Sequence, residues 1–221
     1  MAVLFLREAA KAHSPLMPYI QSFLHLPEGV PAGWDTDTDE GAARRAQLRE
    51  ANPRAMLMAD VQRRLIARKY DSLVPAAIRQ TLETGMPLGG PEADTSREAL
   101  DRIYSLARFR EVWLAIASRD FTNSLQSTSR TPLDRGHPFP TTFLAPLIDL
   151  MNHGGTASNV DVRYDPSHRG FVMAAKRTIR AGEELRFSYG SNLCVEQALM
   201  LYGFEDEEMR PCPPPGGARP A

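Results

Sequence analysis

Cysteine is nearly missing from this chain: among 221 residues only Cys194 and Cys212 carry thiols. Two cysteines so far apart in sequence do not make a cysteine zinc site, and they are too few for the disulfide framework of a small secreted domain. They read as reduced thiols in an intracellular protein. Neither sign of charge is in excess. The 26 basic and 27 acidic side chains leave a net charge of -1, so no long-range field would hold the chain on nucleic acid, where neutralised phosphates carry most of the affinity. Long apolar runs are also missing. The opening Met1-Ala2-Val3-Leu4-Phe5-Leu6 is interrupted at once by Arg7 and Glu8, too soon for a signal-peptide core or a membrane helix. The reading is therefore no targeting segment and no membrane span. What remains is ordinary. With 43% hydrophobic and 24% charged residues, the composition is that of a globular protein with one substantial core or two small ones.

Apolar residues recur at helical spacing from Val3 to Phe23 and are broken around Ser14-Pro15 and Pro18, which predicts two short helices joined at a proline-marked turn. Between Pro27 and Glu40, prolines and glycines give way to alternating Asp and Thr, the composition of a solvated loop. From about Arg54 to Thr84 the positions Met56, Leu57, Val61, Leu65, Ile66, Leu73, Val74, Ile78 and Leu82 again fit helices, with Gly85 as the stop. Thr95-Ser96-Arg97-Glu98 reads as a capping box. A long helix should follow, buried on Leu100, Ile103, Leu106, Val112, Trp113, Ile116 and Ala117 and fading after Phe121 into the loop Ser127 to Pro140.

The period then changes. Val160, Val162 and Tyr164 alternate with polar residues, Asp165 to Gly170 makes a turn, and Phe171 to Ala175 returns, which predicts a β-hairpin. After a turn at Ala181-Gly182-Glu183-Glu184, a third strand should place Leu185, Phe187 and Tyr189 on one face. A short helix from about Cys194 to Tyr202 ends at Gly203, and the acidic, then proline-rich stretch from Glu205 reads as a disordered tail.

Two ordered stretches resemble a known family. Leu144-Ala145-Pro146-Leu147-Ile148-Asp149-Leu150-Met151-Asn152-His153 is similar to the Asn-His segment of SET methyltransferases. Ile179 to Gly190 is similar to that family's turn and strand leading into the catalytic tyrosine. Ala198 to Phe204 resembles the helix end closing the SET domain in the Rubisco large-subunit lysine methyltransferase branch. Leu4 to Glu8, Pro18-Tyr19, Leu26-Pro27 and Ala117-Ser118-Arg119-Asp120-Phe121 resemble elements of its helical insert. The resemblance implies an α+β fold: a SET domain with a β-rich, pseudoknotted core that carries a large helical insert. On this reading the chain is incomplete at its N-terminal side, because it begins after the strand-rich, glycine-bearing segment that supplies part of the cofactor pocket. The C-terminal substrate-binding domain is missing as well. Residues 1–125 would be the insert, 126–140 a loop, 141–204 the C-terminal SET core and 205–221 the tail.

The resemblance further implies S-adenosylmethionine as cofactor, no metal, a protein as substrate, and Tyr189 as the catalytic residue beside the cofactor. Asn152 and His153 would bind the cofactor, Arg119 would approach its carboxylate, and Tyr202 and Phe204 would line the substrate channel. Each has a plainer explanation: a strand-end tyrosine, a satisfied core histidine, a surface ion pair, aromatic packing at a helix end. Asp149 would fix the Asn152-His153 turn from its i+3 and i+4 spacing. A free lysine with a pKa of about 10.4 costs about 4.6 kcal/mol to hold neutral at neutral pH. Tyr189, with an ordinary pKa of about 10, is better suited to hydrogen bonding than to taking that proton. Three readings stay open, in descending order: a protein lysine methyltransferase, a degenerate SET-like binding module, and an unrelated helical protein with chance matches. The acceptor, lysine or histidine, and the compartment, cytoplasm, nucleus or plastid, are left open, as is the oligomeric state.

Overall fold

The computed structural model describes residues 1–11, 13–23, 29–84, 96–121, 144–165, 170–206 and 208–213. They fall into two compact units, Met1–Ser118 with Cys194–Ala221, and Arg119–Leu193. The first unit is helical. Its opening helices, α1 (Ala2–Ala9) and α2 (Met17–Phe23), stand where the proline-broken pattern predicts them. α1 buries Ala2, Phe5 and Leu6 and packs on α4 and α6, whose ranges follow.

The segment after residue 38 departs from expectation. A helix, α3 (Asp39–Ala51), begins inside the stretch read as loop, capped by Thr38, whose hydroxyl accepts from the Gly41 amide at 3.1 Å. Its sequence carried no apolar stripe because the buried positions are Gly41, Arg45 and Leu48, so only one of three is a large hydrophobe. Arg45 is held inside by an ion pair with Asp60 and by the Pro31 carbonyl at 3.4 Å.

One helix of 32 residues, α4 (Pro53–Thr84), spans the next pattern, with Pro75 inside it. Only part of the expected apolar set faces inward. Met56, Ile66, Val74 and Ile78 are buried, whereas Leu57, Val61, Leu65, Leu73 and Leu82 are exposed. Gly85, the expected stop, lies outside the described residues.

The predicted long helix after residue 96 is two helices, α5 (Arg97–Ile103) and α6 (Leu106–Ala117). Ser96 caps α5 by accepting from the Ala99 amide at 3.2 Å, while Thr95, the expected cap, lies outside the described residues. The break falls at Tyr104-Ser105, where Ser105 accepts from the Arg108 amide at 3.4 Å and so starts a new helix. Tyr104 is buried at the break and Phe109 one turn on. The Phe109 ring meets Tyr70 edge-on at 5.6 Å and Trp113 at 5.7 Å, tying α4 to α6.

Chain return completes this unit. α7 (Val195–Tyr202) packs on α4 and ends at Gly203, whose φ of 76° is left-handed. A Cβ there would also lie 2.6 Å from the Gly29 carbonyl carbon, so two glycine backbones touch where no side chain fits. Beyond it, where a disordered tail is expected, the described residues 208–213 fold back against α7. The Val195 amide donates to the Arg210 carbonyl at 3.0 Å, and Cys212 is joined to Cys194 in a disulfide. The two thiols are thus paired, not reduced, a correction that follows from the tail folding back over the start of α7. Its later residues lie outside the described set.

The second unit holds the strands. β2 (Val160–Asp165) and β3 (Gly170–Ala175) form the expected antiparallel hairpin, in register from Val160 against Ala175 to Asp165 against Gly170. The turn residues between them lie outside the described set. The third expected strand is only β4 (Arg186–Phe187), which pairs in parallel with β1 (Asn152–His153). This pairing joins the two sequence stretches singled out above. No described helix is long and apolar enough to cross a membrane.

Candidate active site

The β1 and β4 pair places Asn152 opposite Arg186 and His153 opposite Phe187. Gly154 extends the contact by donating from its amide to the Phe187 carbonyl at 3.0 Å, and a Cβ at Gly154 would stand 2.8 Å from the Arg186 Cβ. Only glycine allows the two short strands to approach this closely. Behind them Asn159, 2% exposed, binds three backbone or side-chain partners from the 183–186 turn. Its Oδ1 accepts from the Arg186 amide at 2.9 Å, and its Nδ2 donates to the Glu184 carbonyl at 2.8 Å and to Glu183 Oε1 at 3.2 Å. Asn159 therefore fixes where β4 starts and, through it, where Tyr189 falls.

Tyr189 follows β4 by two residues and is half-buried. Its hydroxyl donates to the Met151 carbonyl at 2.8 Å, and its amide donates to His153 Nδ1 at 3.0 Å. Because His153 Nδ1 accepts, the neutral ring carries its proton on Nε2. A row of rings backs the tyrosine: Phe121 stacks on Phe187 at 5.9 Å, Phe187 lies 5.0 Å from Tyr189, and His153 lies 5.1 Å from it on another side. Burial pushes the Tyr189 hydroxyl up to about 12, against Arg119 and a His153 backbone hydrogen bond, which lower it. At neutral pH the hydroxyl is a donor.

Asn152 is exposed, and its Nδ2 donates to Glu184 Oε1 at 2.6 Å. That bond, then Arg186, holds the Glu184 carboxyl below its usual range. Glu183 beside it is pulled to about 2, chiefly by Arg177 and then by the Arg180 amide and Asn159. The turn is thus a locked, ionised pair of carboxylates.

Of the residues named from the sequence, Asn152, His153, Arg119 and Tyr189 all lie in the Arg119–Leu193 unit. Arg119 is near enough to Tyr189 for its charge to act on the hydroxyl. Tyr202 and Phe204 belong to the helical unit, at the end of α7, where their rings pair at 6.0 Å. Asp149 is buried, with its amide bonded to the Ala145 carbonyl at 2.9 Å. Asn152 is tied to Glu184 across the strands. Sequence reasoning missed Asn159 and Glu184. Glu184 was visible only as part of a turn, and Asn159 preceded a strand with nothing in its type to mark it as the hub.

A model of the SET domain matches residues 4–190 of the chain. The chain belongs to the SET domain family. Its fold is also similar to a solved structure described as the SET domain of LSMT bound to lysine and AdoHcy, with a TM-score of 0.51 at 15% identity. That match covers 94% of this chain and 40% of the solved one, so this SET domain chain spans less than half the length of its structural neighbour. None of the curated proteins compared with it matches. The α+β reading, a SET fold with helices and sheets, agrees with both matches.

The donor set suits an S-adenosyl cofactor. Asn152 is exposed, and its Oδ1 makes no hydrogen bond among the described residues, so it can accept from an ammonium group. The rings of Tyr189 and His153 offer π faces that favour a cation such as a sulfonium.

Proposed function

We propose that this chain is a protein methyltransferase of the Rubisco large-subunit lysine methyltransferase-like branch, using S-adenosylmethionine to methylate a lysine side chain of a protein. The observation that carries the reading is Tyr189: a half-buried hydroxyl, hydrogen-bonded to the Met151 carbonyl directly before Asn152-His153. The cofactor, when bound, supplies a methyl group on a positively charged sulfur.

The chain's own residues would then do three things. Tyr189, held by the Met151 carbonyl and the His153 ring, presents an oriented hydroxyl at the point of transfer, where alignment of acceptor and methyl supplies much of the rate. It does not take the proton, because a phenol of pKa about 12 gives almost no phenolate at neutral pH. The lysine loses its proton to water as it enters a desolvated site beside positive charge. Asn152 and the Met151–His153 backbone hold the cofactor, with Arg119 near its carboxylate end. Tyr202 and Phe204, paired at the end of α7, would by the same resemblance offer aromatic faces to the substrate side chain.

Calorimetry of S-adenosylmethionine binding, with Asn152→Ala alongside, tests the reading. Micromolar or tighter binding by the parent chain, weakened about 10-fold or more in the variant, which is the size of one lost hydrogen bond to a charged group, supports it. No binding by a folded parent chain leaves a SET-like binding module without catalysis.

A further inference from the structure

At the far end of α7 from the aromatic pair lies a second cluster, which the methyl-transfer chemistry does not use. Cys194, the residue before α7, and Cys212 are 5.0 Å apart at Cα and joined by a disulfide, both nearly buried. Around them the returning arm of residues 208–213 is fixed by four more contacts. The Val195 amide donates to the Arg210 carbonyl at 3.0 Å and the Cys212 amide to Glu196 Oε2 at 2.7 Å. Arg54 of α4 donates to the Cys212 and Pro213 carbonyls, each at 2.5 Å, and its guanidinium stands 3.8 Å from Glu196 Oε1. Glu196 is 5% exposed, so Arg54 and the Cys212 amide are what make its burial tolerable.

We propose that the Cys194–Cys212 disulfide is a redox-controlled latch that closes the C-terminal arm over α7. The 18-residue loop it closes contains the whole of α7, Gly203 and the Tyr202 and Phe204 rings. With the bond in place, the arm cannot leave Glu196. Once it is broken, the remaining contacts are non-covalent, and the arm opens in an equilibrium whose open state leaves Glu196 with Arg54 alone. Glu208, Arg210, Pro211 and Pro213 are exposed, so the arm lies at the surface of the helical unit, and a small dithiol has only this arm to get past to reach the bond. The step balances. A dithiol's thiolate attacks one sulfur, the S–S bond breaks, and the dithiol leaves as its own cyclic disulfide after giving two electrons, while Cys194 and Cys212 each end with a proton.

The three ligand atoms of Cys194, Glu196 and Cys212 lie within 4.8 Å of one another, close enough for a metal ion once the sulfurs are reduced. Arg54 argues against that use. Its positive charge already occupies the carboxylate, and the Cys212 amide takes the other oxygen.

The test is hydrogen exchange with mass-spectrometric readout on the full chain, oxidised and after dithiothreitol, together with melting curves. Two readouts are expected on reduction. The amides of Val195 and Cys212 exchange at least about 10-fold faster, and the melting temperature falls by about 5–10 °C, the size of losing one loop-closing disulfide in a chain this long. Cys194→Ser with Cys212→Ser should copy the reduced protein and ignore dithiothreitol. S-adenosylmethionine binding should change less than about twofold on reduction, since its proposed residues lie elsewhere; if the cofactor does not bind at all, the methyltransferase reading fails and the exchange result still decides the latch. Equal exchange and equal melting in the two redox states would overturn the latch. So would one zinc ion per reduced chain that shields both thiols from alkylation, which would make the cluster a metal site.

Discussion

Tyr189 is a protonated donor at neutral pH, the more firmly because burial raises its hydroxyl to about 12, and that fixes what its loss should do. Tyr189→Phe removes one donor aimed at the Met151 carbonyl, at a stability cost of about 1 kcal/mol, and leaves the ring in its aromatic row. Turnover should fall about 100-fold or more, the effect of deleting one preorganised donor, with melting shifted by only a few degrees. Activity unchanged in a folded variant would take Tyr189 out of the chemistry. The same protonation predicts that turnover rises with pH through the lysine and shows no falling limb from Tyr189 until its value of about 12 is approached. Glu183 gives a second pH effect. Its folded-state value of about 2 lies below the ordinary 4.5, so its contribution to stability is full above 4.5 and is lost as pH falls through that window. Glu183→Gln should therefore flatten the loss of stability between those two pH values; an unchanged acid limb in urea titrations would show that Arg177 and Asn159 do not hold it.

Among the elements, those with a clear period were legible and those held by polar groups were not. The β2–β3 hairpin and α7 with its Gly203 stop followed from alternation and from glycine at a helix end. α3 escaped because its inner face is Gly41, Arg45 and Leu48, and an ion-paired arginine does not read as core. The α5–α6 break escaped because Ser105, a cap, sits inside a continuous apolar pattern. The site was half legible. Asn152, His153 and Tyr189 were named by resemblance, yet the short β1–β4 pairing that brings them together depends on Asn159, whose role only the fold reveals. Asn159→Ala should cost about 2–3 kcal/mol, because three bonds are lost inside the unit and the Arg186 amide is left unpaired. A loss below about 0.5 kcal/mol in denaturant melts would mean that the 183–186 turn holds itself. Gly203→Ala should cost more than about 1 kcal/mol, since both its φ and the Gly29 backbone forbid a Cβ.

The whole chain divides its stability unevenly between its units. The helical unit buries large side chains on each of its seven described helices, among them Leu6, Ile20, Leu48, Met56, Leu100, Phe109 and Leu199. In the Arg119–Leu193 unit the buried apolar side chains among the described residues are Phe121, Ala145, Met151 and Val160, and its sheets have two strands each. A two-stranded sheet is marginal in water, and the core that the described residues of this segment supply falls short of the entropy cost of ordering it. The segment 119–193 expressed alone should therefore give a coil-like circular dichroism spectrum and collapsed amide dispersion, although it contains Asn152, His153, Arg119 and Tyr189. A cooperative melt of that fragment would show that the Asn159 hub and the ring row suffice to fold it. If it is unfolded, cofactor binding has to be measured on the whole chain, even though Asn152, His153, Arg119 and Tyr189 all lie in this segment.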